Sequence, residues 1–198
     1  MSISAGISAS EILSITACRP AKAGSAKAQD NNGDNAGGMA ELRSFVRSTI
    51  RSPKDEVPLR IGRFFKENDF TIRNNAEYLH PLKLWLLREG DCNDFSIFAY
   101  YVLKKAGYQP SLVQIFWPQG LRPDQLPDTH DICVYHDMKT GRLNYFDQDG
   151  LHAVQTADVN ELAKKVLPEC NKAIECSVKI NDSTLFVKVT PFRTYLPK

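Results

Sequence analysis

Gly90-Asp91-Cys92-Asn93-Asp94-Phe95-Ser96 opens a run that ends at Leu103-Lys104-Lys105-Ala106-Gly107-Tyr108. Asp91 is a residue type that caps helices, because its carboxylate can accept from the first unpaired backbone N–H groups. The following residues predict a helix over 93–106. Phe95, Phe98, Ala99, Val102, Leu103 and Ala106 recur at i, i+3, i+4 and i+7 and form a core-facing stripe. Ile97, Tyr100 and Tyr101 widen that stripe beyond one face. A helix apolar on most sides sits centrally, with other elements around it. Gly107 is placed to end it.

On the N-terminal side the periodicity stays helical. Glu41–Arg51 reads as a short amphipathic helix, with Leu42, Phe45, Val46 and Ile50 on one side, ended by Pro53 and Pro58. Leu59–Glu67 reads as a second, with Phe64 and Phe65 inward. Pro81 is suited to the first position of a third, running to Arg88 and closed by Gly90. On the C-terminal side the period changes from 3.6 to 2. Ser111–Trp117 reads as a strand, and residues 118–128, with three prolines, as a loop able to wall or cover a cleft. His130–His136 and Arg142–Gln148 form a hairpin around residues 137–141. Val159–Val166 is helical, started at Asp158. Ile174–Ile180 and Thr184–Thr190 form a second hairpin around Asn181-Asp182-Ser183. Helices first and antiparallel strands afterwards predict an α+β domain.

Cys92 stands at the start of the central helix, where the positive end of the helix dipole favours thiolate, the nucleophilic form. An inert buried thiol is the plain alternative. A cysteine nucleophile needs an imidazole base, and the imidazole needs a third group to fix its tautomer. The hairpin supplies both types. With a four-residue loop over Asp137–Thr140, His136 pairs with Gly141 and His130 lies opposite Asp147 on one face. A two-residue loop, Lys139-Thr140, pairs His130 with Asp149 instead. Taken singly, His130 also reads as an ordinary strand histidine and Asp147 as a turn or solvated carboxylate. His80, His136 and His152 have no partner spacing that lifts them above surface histidines. Cys92, His130 and Asp147 lack a second close ligand pair, which argues against zinc.

At these residues the chain resembles the transglutaminase-like cysteine enzyme superfamily. Gly90–Ser96 is similar to its G-x-C-x-[DE]-[FY]-[AS] segment. Thr129-His130-Asp131-Ile132-Cys133-Val134 resembles its second motif, a histidine starting a strand. Asn144-Tyr145-Phe146-Asp147 resembles its third, an aspartate ending the next strand after aromatics. The resemblance covers about residues 76–150. It implies a papain-like α+β fold, with a Cys-bearing helix packed on an antiparallel sheet that carries His and Asp. It also implies Cys92 as nucleophile, His130 as general base and acid, and Asp147 as orienting carboxylate. The bacterial transglutaminase-like peptidases are nearest in feel. Two positions depart from the family pattern: Asp131 stands where many members carry an aromatic, and Gln148-Asp149-Gly150 follows Asp147 where many have an aromatic and a proline.

The implied chemistry is acyl transfer through a thioester, with water as acceptor (a peptidase or amidase) or an amine (a protein cross-linker). One small domain offers little surface to exclude water, which favours hydrolysis. The Cys92 backbone N–H is the expected oxyanion donor; Asn74, Asn75 and Trp85 are candidates for a second, each with a plainer reading as turn or core. A binding module that kept the fold and lost the activity is the rival from another class. The expected partner is a protein or peptide substrate, with no cofactor and no metal.

Composition sets the outer bounds. The 198 residues are 42% apolar and 24% charged, with a net charge of +2, too balanced to steer nucleic acid or a membrane surface. Five cysteines, none in a C-x-x-C, argue against a disulfide scaffold or zinc ribbon. Residues 1–40 hold nine Ala, six Ser and five Gly and none of the 19 aromatics. They predict a disordered extension, with 41–198 as the catalytic domain. Ala5–Ala17 could form only a marginal helix. Ala26-Lys27-Ala28 imitates a signal-peptidase site and Ile15–Cys18 a lipoprotein box. No Lys or Arg precedes Arg19, and Glu11 breaks the apolar stretch, so export by this segment is disfavoured. Met39, where ordinary composition begins, is an alternative start.

Overall fold

The computed structural model describes residues 32–73, 77–118 and 129–197. The expectations for the export-like segments, Asn74, Asn75 and most of the 118–128 loop lie outside these residues. Thirteen elements follow in order: α1 (Asn32–Ile50), α2 (Glu56–Glu67), β1 (Thr71–Ile72), α3 (Pro81–Leu87), β2 (Glu89–Gly90), α4 (Cys92–Lys105), β3 (Ser111–Phe116), β4 (Thr129–His136), β5 (Leu143–Asp147), β6 (Gly150–Thr156), α5 (Val159–Val166), β7 (Lys172–Asn181) and β8 (Phe186–Tyr195). The six later strands form one antiparallel sheet in the order β6-β5-β4-β3-β7-β8. The α+β architecture read from the sequence is the one observed.

The sheet is the middle layer. On one face Leu112, Cys133, Tyr135, Phe146, Cys176 and Val178 pack with side chains of α1–α4. On the other, Val113, Ile115, Ile132, Val134, Leu143 and Tyr145 pack with Val159, Leu162 and Ala163 of α5. α4 is the centre of the first layer. Its Phe95, Ile97, Phe98, Ala99, Val102 and Leu103 are all 1% exposed or less. Burying each large side chain contributes roughly 1.5–3 kcal/mol. Phe64 and Phe98 stack at 5.0 Å, and Trp85 lies parallel to Phe64 at 5.0 Å, so Trp85 belongs to this core.

Several boundaries differ from the sequence reading, each for a local reason. α1 begins nine residues before Glu41, at Asn32. Pro58 does not separate helices; it sits in the first turn of α2, where no intrahelical N–H is lost. α3 closes on Arg88, in the left-handed region at φ 53°, rather than on Gly90. Gly90 instead belongs to the short parallel pair β1–β2, whose two-residue strands carry no periodic signal. β6 was also missed: its apolar residues alternate too weakly, and Gly150, at φ 109°, turns the chain straight from β5 into it. The two predicted hairpins are present, with β7 and β8 longer than expected.

Candidate active site

Gly90–Asp94 is built as a capped helix start. The Asp91 carboxylate accepts from the backbone N–H of Asn93 at 3.0 Å and of Asp94 at 3.4 Å. The Asp94 carboxylate accepts from the Asp91 N–H at 3.1 Å, closing a capping box, and from the Leu79 N–H at 2.7 Å. Gly90 leaves room for this. A Cβ there would lie 2.9 Å from the Asp94 Cβ and 2.8 Å from Leu84 Cδ1. The Gly-Asp-Cys-Asn-Asp run is thus one device that fixes where Cys92, the first residue of α4, begins. Asp91 thus sets a carboxylate at the positive end of the helix, next to Cys92. Cys92 is 1% exposed, and its sulfur is engaged in a disulfide here, whereas Cys133, Cys170 and Cys176 are free.

α4 runs in the same sense as β4. The Ser96 hydroxyl donates to the Asp131 carbonyl at 2.9 Å and lies 3.4 Å from the Phe146 carbonyl. Just past the helix end, Tyr108 meets Tyr135 edge-on. Cys92 is one turn before Ser96, about 6 Å along the helix.

His130 and Asp147 are brought together directly. His130 Nε2 and Asp147 Oδ2 are 3.2 Å apart, and the two residues are 5% and 4% exposed. Their register is the second of the two that the sequence left open, with His130 across from Asp149. Cys133 pairs with Phe146 and His136 with Leu143, so continuing the ladder sets Asp147 across from Ile132 and His130 across from Asp149. The Asp137 side chain causes this by accepting from the N–H of Lys139 and Thr140, while Gly141 takes φ 69°. His130 and Asp147 still share a face as diagonal neighbours, about 7–8 Å apart at the backbone and within reach of each other's side chains.

A carboxylate only accepts, so His130 Nε2 carries the hydrogen. Nδ1 is left as the lone-pair nitrogen, and it is buried with no hydrogen-bond partner among the described residues. Burial alone would raise the Asp147 carboxyl. The hydrogen bonds and charges of His130 and His152 outweigh it and hold Asp147 well below the usual carboxylate range.

Sequence reasoning passed over three groups. His152 Nε2 lies 2.8 Å from Asp147 Oδ1, so it belongs to the site rather than to the bulk surface. His80 is also no surface residue: buried, it caps α3 by accepting from the Leu82 N–H, and its Nε2 donates to Asp182 at 3.2 Å. His136 is exposed, as expected. The third group is Asp131, fully buried on the α4 side of the sheet. Gln114, directly across on β3, donates to it at 3.3 Å and to the Tyr78 hydroxyl at 3.2 Å. Burial is the largest influence on Asp131 and, with the Asp91 charge, pushes its carboxyl up to about 7 against the Gln114 and Tyr78 hydrogen bonds and the His130 charge. Alternation along the strand carried the signal: a charged residue at an inward position.

Asp131 makes a pH-dependent cost. The folded protein resists its ionisation, so stability falls as pH rises from about 4, where the unfolded chain ionises, to about 7. Asp131→Asn keeps an acceptor for Gln114 without the charge. Its melting temperature should match wild type near pH 4 and exceed it increasingly up to pH 7, with an upper bound of about 4 kcal/mol from three pH units. Thermal unfolding of both proteins across pH 4–8 measures this; a constant difference would remove the assignment.

Among the described residues, no cluster of three or more His, Cys, Asp or Glu side chains could hold a metal ion, and no helix is long and apolar enough to cross a membrane.

No family model matches the chain, and no curated protein matches it. Among solved structures the chain is similar to LapG of Legionella pneumophila. The EGTA-treated form shares 14% identity over 71% of this chain and 74% of that chain, with a TM-score of 0.48. A second LapG structure gives the same identity and score over 76% of its length. The calcium-bound form scores 0.45. The reading of the site therefore rests on the residues themselves.

Proposed function

We propose that the chain is a thiol-dependent acyl-transfer enzyme of the transglutaminase-like type, with Cys92 as nucleophile, His130 as general base and acid, and Asp147 as the carboxylate that orients His130. The observation that carries this is the buried His130 ring. One nitrogen is committed to Asp147 at 3.2 Å, and the other is without a hydrogen-bond partner among the described residues. Such an imidazole can take the thiol proton and, as imidazolium, pair with the thiolate.

The reaction starts from reduced Cys92. The Cys92 proton passes to His130 Nδ1, and the sulfur attacks a peptide or amide carbonyl. The C–N bond breaks as His130 returns that proton to the departing amine, leaving a thioester on Cys92. Water then attacks the thioester, giving its proton to His130 and releasing the acid; His130 returns the proton to the sulfur. The Cys92 backbone N–H is the proposed oxyanion donor.

The test is incubation of the reduced protein with a peptide library and a labelled primary amine, read by mass spectrometry. Cleaved peptides in excess over amine adducts are expected, with activity lost when reductant is omitted. Amine incorporation exceeding cleavage would assign a transamidase instead. Neither product from reduced protein would leave a binding module.

A further inference from the structure

We propose that His152 is a positioning residue, clamping the second oxygen of Asp147 so that the first is presented to His130. The inference rests on the reading of His130 and Asp147 given above.

The Asp147 carboxylate makes three contacts. Oδ2 faces His130 Nε2 at 3.2 Å; Oδ1 faces His152 Nε2 at 2.8 Å and accepts from the Asp149 N–H at 2.9 Å. His152 makes the shortest of the three. The ring that holds Asp147 is itself held. Tyr145 and His152 are cross-strand partners on β5 and β6, and their rings stack at 4.3 Å with 7° between planes. An aspartate fixed only through Oδ2 could turn about its terminal bond. With both oxygens engaged on opposite sides it cannot turn without breaking a charge-assisted hydrogen bond. Both histidines present Nε2 to an acceptor-only group, so both carry hydrogen there. His152 therefore reinforces the tautomer that leaves His130 Nδ1 as the lone-pair nitrogen.

His152 also shares the charge of Asp147. The ionisable groups around it are Asp147 and Tyr145 on β5, Asp149 in the turn and His130 on β4. From the flanking helices, the Lys66 side chain of α2 approaches Gly150, and Lys165 of α5 donates to the Val154 carbonyl. Removing the His152 ring takes away a donor and, when it is protonated, a positive charge. Both changes free the carboxylate to turn about its terminal bond and loosen its hold on His130.

Two variants and the unmodified protein test this. His152→Phe keeps the ring on Tyr145 and deletes the donor; His152→Gln places an amide nitrogen near the position of Nε2. Imidazole nitrogen shifts read by NMR in a Cys92→Ala background need no substrate. His152→Phe should mix the Nδ1–H tautomer into the His130 ring, and His152→Gln should keep it at Nε2–H. In the active protein, His152→Phe should lower kcat about tenfold with KM within about twofold, and His152→Gln should recover most of it. In wild type, nitrogen shifts should show His152 protonated at Nε2. An unchanged Nε2–H tautomer of His130 in His152→Phe, or an Nδ1–H tautomer for wild-type His152, would overturn the proposal. Turnover that survives Cys92→Ala would instead overturn the reading of the enzyme, and the imidazole coupling would be judged separately.

Discussion

Cys92→Ala is expected to lower turnover by about 10⁴-fold or more, to the background rate of the peptide in buffer. The covalent step needs the sulfur: without it no thioester forms, and His130 and Asp147 have nothing to activate. The fold should survive. Alanine is the best helix former, Asp91 and Asp94 hold the helix start through backbone N–H groups, and the change deletes one buried sulfur, worth about 1 kcal/mol. Melting temperatures must be compared under reducing conditions, because the sulfur is otherwise in a disulfide. Cleavage at wild-type rates by a folded Cys92→Ala protein would remove the nucleophile from the mechanism.

Asp147→Asn should cost about 10³–10⁴ in kcat, with substrate binding little changed. Here the physical cause is the tautomer. An amide brings two N–H donors to a place where both histidines now donate. If the amide nitrogen faces His130, Nε2 must accept, the hydrogen moves to Nδ1, and the ring can no longer take a proton on that side. If the amide oxygen faces His130, the nitrogen confronts His152 at the 2.8 Å contact. Either way one imidazole loses its partner. Stability should follow with a definite sign. The folded-state carboxyl of Asp147 is depressed, so its contribution is present above about pH 4 and fades as pH falls through the folded value. Asp147→Asn should therefore melt below wild type at pH 7 and approach it in strong acid. A kcat/KM profile and thermal unfolding at pH 2–7 check both halves; loss of stability without loss of kcat would make Asp147 a structural residue only.

The Gly-x-Cys segment gains a local explanation from these contacts. Its glycine is required because Leu84 and the Asp94 side chain occupy the space a Cβ would take. Its second acid is required because Asp94 ties the loop at Leu79 to the helix start. Asp131, where many members of the superfamily the sequence resembles carry an aromatic, meets Gln114, which also donates to the Tyr78 hydroxyl.

The elements whose signals are local are legible in the chain. Asp91 and Asp158 are N-cap residue types, Gly107 takes a positive φ, and the stripe along α4 and the alternation along β3, β4 and β5 are periodic in themselves. Also legible is that His130 and Asp147 share a face, because every register considered keeps that parity. The other features arise from turn geometry and packing. The true register came from a turn organised by Asp137, the paired strand β1–β2 from contacts between distant segments, and the second imidazole on Asp147 from a strand that the sequence did not announce. Periodicity reports which side of an element is apolar. Which polar groups meet across a sheet depends on register and turn geometry, and those are settled only when the strands pack.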